Sequence, residues 1–436
     1  MSEITCTYSH VGVTHDEIVH LSHQMERHTQ DIISSLDEQY DSPYASLNVP
    51  FDQNNLQRVE QLVELVKKLE PTMLIVIGIG GSNLGTMAVD HALHGTMRNE
   101  LQPALRVYYA DTVDTDYIND LVCLVQQELE KEHAVIINLV TKSGSTTESI
   151  ANFTVFTNVL ASYYGDSYHH YVVVTTDQGS SLEHLARKRK YHLLSIPQMV
   201  GGRYSVLTSV GLFPLGMLGV PLKQLCAGAA TMLLDLSDVN HPARISAATI
   251  FAYYQKGIHI HNMFPFSVDL ASLGAWYRQL VGESLGKERL NNGAVKPQGI
   301  LPITSIGSTD LHSMVQYYLA APPTILTTFM SVEKTDSDLF VDQDDQLETL
   351  VPHIGNKRMT TIMNAIEQGT LTAYREKQRP FMHMAIPEKN AYFLGQFLQW
   401  KMIEVIYVGL LMDIDPFDQP QVELYKKATR KILAHE

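Results

Sequence analysis

The chain has 436 residues, 45% of them hydrophobic and 18% charged, with a formal charge of −15 from 32 Lys+Arg against 47 Asp+Glu. This length exceeds the ~250–300 residues at which single cores stop growing, so two domains are expected. The acidic balance argues against broad binding of nucleic acid or of an anionic membrane surface.

In chain order, Met1-Ser2-Glu3-Ile4 has no basic region followed by an apolar core, so no secretory signal is expected. Residues 1 to about 70 read as helices, Ile18 to Leu36 and Leu56 to Leu69, broken by a loop from Pro43 to Pro50. Strands and helices then alternate. Met73 to Ile77 is a predicted strand, Ser82 to Leu93 opens a helix, Leu105 to Ala110 is a strand, and Asp114 to Glu130 is helical. Ala134 to Val140 is a short Val/Ile-rich run that reads as a buried parallel strand. Tyr171 to Thr175 and Tyr191 to Ile196 complete the set. Alternation at this spacing predicts βαβ units, with ligands bound beyond the carboxyl ends of the strands.

Two loops stand at such ends. Thr141 to Ser149 combines hydroxyl residues with Gly144 and Lys142, and a helix pattern follows directly from Ile150. Backbone N–H groups at a helix start attract anions; an over-capped helix is the plainer alternative. Gly78-Ile79-Gly80-Gly81-Ser82-Asn83-Leu84-Gly85 is not the dinucleotide fingerprint, because Asn83 stands where the third Gly belongs. Gly286-Lys287-Glu288 is likewise no Walker A loop. Two polar loops after strands suggest convergence on one small phosphate, against the alternative of a plain glycine turn.

The run Arg187-Lys188-Arg189-Lys190 is isolated and reads as a solvated helix end. Tyr204 to Leu222 carries no charge, but its prolines and glycines favour a buried core helix over a membrane span. Cys6, Cys123 and Cys226 are odd in number and far apart, which suits a reducing cytoplasm. Further on, Gly299 to Thr304, Thr324 to Met330 and Pro380 to Ile386 read as strands, with helices such as Leu311 to Leu319 and Glu388 to Leu411. Thr304 to Thr309 echoes Thr141 to Thr146, which hints at a duplicated domain, chance likeness of such loops being the alternative. The acidic stretch Asp336 to Asp345 fails the EF-hand pattern and reads as a solvated loop. His259/His261 and His91/His94 lack third and fourth ligands, so no metal is expected.

Gly78 to Gly85 and Thr141 to Glu148 together resemble the paired phosphate loops of the glucose-6-phosphate isomerase family, built on sugar-isomerase (SIS) domains. The likeness continues in order through Gly201-Gly202-Arg203-Tyr204-Ser205, Gly282-Glu283-Ser284-Leu285-Gly286-Lys287, Ser308-Thr309-Asp310-Leu311-His312-Ser313 and Gln419-Pro420-Gln421-Val422-Glu423-Leu424-Tyr425-Lys426. It spans residues ~70 to ~430 and is similar to the shorter bacterial form.

The resemblance implies an α/β protein with two SIS-type α/β/α sandwich domains on parallel sheets. Residues 1–70 would form an N-terminal helical segment, 71–225 and 226–412 the two domains, and 413–436 a C-terminal helical tail contributing to the active site. It implies a cytoplasmic homodimer without cofactor that interconverts glucose 6-phosphate and fructose 6-phosphate through an enediol. Such a reaction needs a carboxylate base, a stabiliser of oxyanion charge and acid/base help in ring opening.

By resemblance Glu283 is the base between carbons 2 and 1, and Arg203 is a fixed cation beside the enediolate. His312, supplied by the neighbouring subunit, and Lys426 handle ring opening. Gly81, Ser82, Thr141, Lys142, Ser143 and Thr146 match substrate- and phosphate-binding positions, and Gln279 and Gln419 match residues at the sugar hydroxyls. Leu285 stands where the family has Asn, and Tyr425 where it has Gly, so both bear on fine geometry. The competing readings are a broader phosphohexose isomerase, the isomerase part of an amino-sugar enzyme, and a SIS-type sugar-phosphate sensor. A sensor would need no base.

Overall fold

The computed structural model describes residues 3–9, 11–36, 38–337 and 339–435. Met1, Ser2 and Asp338, on which the leader and acidic-loop readings partly rest, lie outside the described residues. The strands are β1 (Thr5–Tyr8), β2 (Pro71–Ile77), β3 (Arg106–Ala110), β4 (Ala134–Val140), β5 (Val172–Asp177), β6 (His192–Ile196), β7 (Ile260–Pro265), β8 (Lys287–Arg289), β9 (Val295–Gln298), β10 (Leu301–Thr304), β11 (Ile325–Lys334) and β12 (Phe381–Glu388).

The first sheet has the order β3-β2-β4-β5-β6, and every pairing in it is parallel. Its central strands are buried on both faces. Met73, Ile75 and Ile77 face one core, while Leu74 and Val76 face the other. This is why their sequences are unbroken apolar runs rather than alternating ones. The flanking helices are started by side chains, Asp52 accepting from Asn55 N at 2.9 Å and Asp114 from Tyr117 N at 3.2 Å.

The second sheet has the order β1-β12-β11-β7-β10. Read from its β10 edge, the chain order is second, first, third, fourth, as in the first sheet. β1 takes the fifth place but runs antiparallel to β12. The topology therefore repeats. The echo of Thr141 to Thr146 does not repeat with it: Thr304 ends β10, the second strand of its set, whereas Thr141 follows β4, the third of the other.

Four strands stand outside the sequence reading: β1, β7 and the antiparallel pair β8 and β9. β1 lies in the stretch read as helical; Thr5 and Thr7 are exposed while Cys6 and Tyr8 are half-buried, an alternation only four residues long, and pairing with β12 makes it a strand. β7 is a buried strand shared between β10 and β11, although its His261 and Asn262 look like loop residues. The helix expected over Ile18 to Leu36 is two, His15–Gln24 and Glu26–Ser35, broken at Met25. There Arg244 Nη2 donates to the Ser22 carbonyl at 2.6 Å, which the last turn of the first helix also uses. Leu311 to Leu319 is a 3₁₀ turn, Thr309–Leu311, and a short helix, Val315–Ala320.

The uncharged stretch forms the helix Ser209–Met217, buried throughout with Pro214 inside it. Among the described residues no helix is long and apolar enough to cross a membrane. Arg187 to Lys190 are exposed at the end of the Ser181–Lys188 helix, as a solvated helix end requires. In the first sheet the chain leaves β2 toward β3 and returns on the other side to β4. The crevice at that reversal opens at the carboxyl ends of β2 and β4, where the two polar loops stand side by side.

Candidate active site

Gly80–Ser82 makes a 3₁₀ turn after β2, and Gly202–Tyr204 makes another that packs on it. A Cβ at Gly81 would lie 2.1 Å from the Gly202 carbonyl carbon and 2.5 Å from Arg203 N. The two turns touch backbone to backbone, so Gly81 fixes where Arg203 begins. Asn83 is fully buried and donates to Asp111 Oδ2 at 3.1 Å. Ser82 is half-buried at the head of the following helix.

After β4, Thr141 Oγ1 and Thr146 Oγ1 lie 3.0 Å apart, and Ser145 Oγ donates to Ser143 Oγ at 3.1 Å. Thr146 is the N-cap of the helix Thr147–Tyr164, and its side chain makes no capping hydrogen bond. The helix start is therefore not over-capped, and its first N–H groups remain for an anion. Lys142 Nζ donates to the Gln198 carbonyl at 2.6 Å; burial lowers its pKa, and Asp177 opposes that shift. Burial raises the Asp177 carboxyl to about 6, with Lys142 pulling it down.

Glu283 lies near the end of the helix Ala271–Leu285. Gln279, one turn earlier on the same face, donates from Nε2 to Glu283 Oε1 at 3.1 Å. Arg203 Nη1 is 3.5 Å from Glu283 Oε2. Arg203 is 2% exposed and is held on every side. Its Nε donates to Ser284 Oγ at 2.7 Å, Nη1 to Gln419 Oε1 at 2.6 Å, and Nη2 to the Pro416 carbonyl at 2.7 Å and the Asp418 carbonyl at 3.2 Å. Such a guanidinium is preorganised and always charged, so it stabilises negative charge forming nearby without reorganising.

Glu283, Lys287, Asp418 and Gln419 line an open cleft of about 640 Å³. Lys426 faces a smaller cavity of about 190 Å³ whose other wall is the Thr141 loop, and it pairs with Glu423 at 3.0 Å. The structure thus gathers Gly81, Arg203, Gln279, Glu283 and Gln419 into one cluster. It sets Ser143, Thr146 and Lys426 around a second. His312 is exposed after the Thr309–Leu311 turn beyond β10 and lines neither cleft. A cleft of about 650 Å³ against β6 holds none of these residues, so size alone does not locate the chemistry.

Two contributors lay inside a quoted motif without being singled out. Ser284 is fully buried and is contacted by both Arg203 and Tyr204, whose hydroxyl is 2.9 Å from Ser284 Oγ. Lys287 donates to the Glu283 carbonyl at 3.1 Å and to Asp418 Oδ1 at 2.7 Å. Their place in the Gly282 to Lys287 motif is the available signal; Arg203, Tyr204 and Asp418, which they bind, are remote in sequence. Leu285 is 1% exposed and belongs to the main core, while Tyr425 is exposed on the helix Val422–Leu433. Among the described residues no group of three His, Cys, Asp or Glu side chains is placed to share a metal ion. His261 is engaged by Thr328 and Tyr277, His91 by Ser272, and His94 by Asp90.

The sequence model described as Phosphoglucose isomerase matches residues 66–436. The glucose-6-phosphate isomerase of Carboxydothermus hydrogenoformans is 30% identical over 420 residues, covering 94% of this chain and 89% of that one. That of Clostridium novyi is 34% identical over 395 residues, covering 88% and 84%. A crystal structure of a glucose-6-phosphate isomerase from Chlamydia trachomatis superposes with a TM-score of 0.82 at 19% identity, covering 99% of this chain and 88% of that one, which shows a common fold.

Proposed function

The chain belongs to the phosphoglucose isomerase family, and from that premise we propose that it interconverts glucose 6-phosphate and fructose 6-phosphate by proton transfer. The observation that carries this reading is the pairing of the Glu283 carboxylate with the Arg203 guanidinium at 3.5 Å, at the mouth of an open cleft. Glu283 takes the proton from carbon 2 and returns it to carbon 1, while Arg203 offsets the charge that develops on the enediolate oxygens. Gln279 and Gln419, each bonded to one of this pair, meet the sugar hydroxyls.

Gly81, Ser82, Thr141, Lys142, Ser143 and Thr146 hold the phosphate, supported by the uncapped helix start. Lys426 and His312 open the ring. His312 stands outside both clefts of its own chain, which favours its coming from a second copy in a homodimer. The three free cysteines accord with a cytoplasmic enzyme. A sensor would need no carboxylate base, and the Gln279–Glu283–Arg203 cluster argues against that alternative. A coupled assay following fructose 6-phosphate formed from glucose 6-phosphate tests the reading; absence of turnover in both directions by folded protein would overturn it.

A further inference from the structure

Resting on that reading, we propose that Arg430 is a further substrate-binding residue, the cation that meets the phosphate from the side of the C-terminal helix. Ser143, Ser145 and Thr146 face Lys426 and Arg430 across the cavity of about 190 Å³. Lys426 and Arg430 are four apart on the helix Val422–Leu433 and so share one face. A dianion seated at the uncapped start of the Thr147–Tyr164 helix needs positive charge beside it, and the other two cations near it are engaged. Lys142 Nζ is bonded to the Gln198 carbonyl at 2.6 Å, and Lys426 Nζ is paired with Glu423 Oε1 at 3.0 Å.

Among the described residues the Arg430 guanidinium makes no hydrogen bond or ion pair, although Glu423 lies within reach of its charge. Glu148 and Glu423 are the carboxylates on the same cavity, and Glu423 is already committed to Lys426. Arg430 is therefore the cation left facing the loop. Its planar fork of donors matches two phosphate oxygens at once. Glu283 lines the other cleft, so this contact is made equally in the ground state and the transition state. It lowers KM and leaves kcat alone.

The test uses Arg430→Gln and Arg430→Lys in the full chain. Arg430 is exposed, and both replacements are good helix formers, so the fold is retained. Steady-state kinetics give kcat and KM, and calorimetric titration with inorganic phosphate at fixed ionic strength gives binding apart from turnover. Arg430→Gln should raise KM about tenfold with kcat unchanged and weaken phosphate binding by a similar factor, as loss of a charge-assisted hydrogen bond implies. Arg430→Lys should recover part of both. Unchanged KM and phosphate affinity in Arg430→Gln, or a fall in kcat alone, overturns the assignment. If the wild-type chain turns over neither sugar phosphate, the isomerase reading fails, yet the phosphate titration of wild type against Arg430→Gln still decides the role of Arg430.

Discussion

Arg203 Nη1 stands 3.5 Å from Glu283 Oε2, and only the carboxylate of this pair reaches solvent, with side-chain exposures of 1% and 29%. The buried guanidinium spends its remaining donors on Ser284, Gln419 and the carbonyls of Pro416 and Asp418. It is a fixed charge, whereas Glu283 is open to a ligand. This asymmetry supports the proposal that Glu283 carries the proton while Arg203 stabilises charge.

Glu283→Gln keeps the shape and the neighbouring Gln279 while removing the base. The rate should fall by about 10²–10⁴-fold, and solvent-hydrogen exchange at carbon 2 should disappear. Binding of a sugar-acid phosphate should persist. Exchange that survives in the variant would mean that another residue moves the proton.

The place of His312 outside both clefts leads to a subunit-mixing experiment. Glu283→Gln and His312→Ala should each be nearly inactive alone. In a mixed dimer with shared sites, one site collects both lesions and the other collects none, so roughly a quarter of wild-type activity should return on random mixing. A mixture that stays inactive after demonstrated subunit exchange would place His312 in its own chain's site.

Gly81→Ala should damage activity without touching a reacting group. The new methyl would sit 2.1 Å from the Gly202 carbonyl carbon, so the turn carrying Arg203 must shift. Overpacking of this kind costs about 1–3 kcal/mol, and misplacing a catalytic group by about 1 Å costs on the order of 10²-fold in rate. Wild-type kcat in a folded Gly81→Ala protein would show that the two turns can part harmlessly.

Acid should destabilise the fold through His261. Burial, with a smaller contribution from Lys401, lowers its pKa from 6.5 to about 3. Tyr277 OH donates to Glu404 Oε1 at 2.8 Å, so the His261 Nδ1–H donates to the Tyr277 oxygen at 3.1 Å and Nε2 accepts from Thr328 Oγ1 at 2.8 Å. The folded state therefore holds a neutral ring, and the unfolded chain takes up the proton first. Stability is full above about pH 6.5 and declines as pH falls toward 3, by about 2 kcal/mol at pH 5. Urea unfolding should show this decline, and it should be shallower in His261→Gln. An identical pH dependence in the variant would rule His261 out as its source.

Chelation should leave the rate unchanged if Glu283 moves the proton beside Arg203 as proposed, a step that calls for no Lewis acid. Activity lost with a chelator and restored by a divalent ion would contradict this.

The sequence determined by itself the elements whose physics is local. β4 matches its predicted run from Ala134 to Val140, because a strand buried on both faces must be apolar throughout. The hydroxyl-rich loop, the glycine turn and the alternation that puts both at strand ends were legible for the same reason. Tertiary structure alone decided whatever depends on a remote partner. β1 is a strand only against β12, and the helix break at Met25 coincides with the Arg244 contact at Ser22. β7 could be buried because Thr328 and Tyr277 satisfy His261. Ser284 and Lys287 gain their roles only once Arg203 and Asp418 are brought beside them. A periodic pattern records which face of an element is buried, but not which distant group it will be buried against.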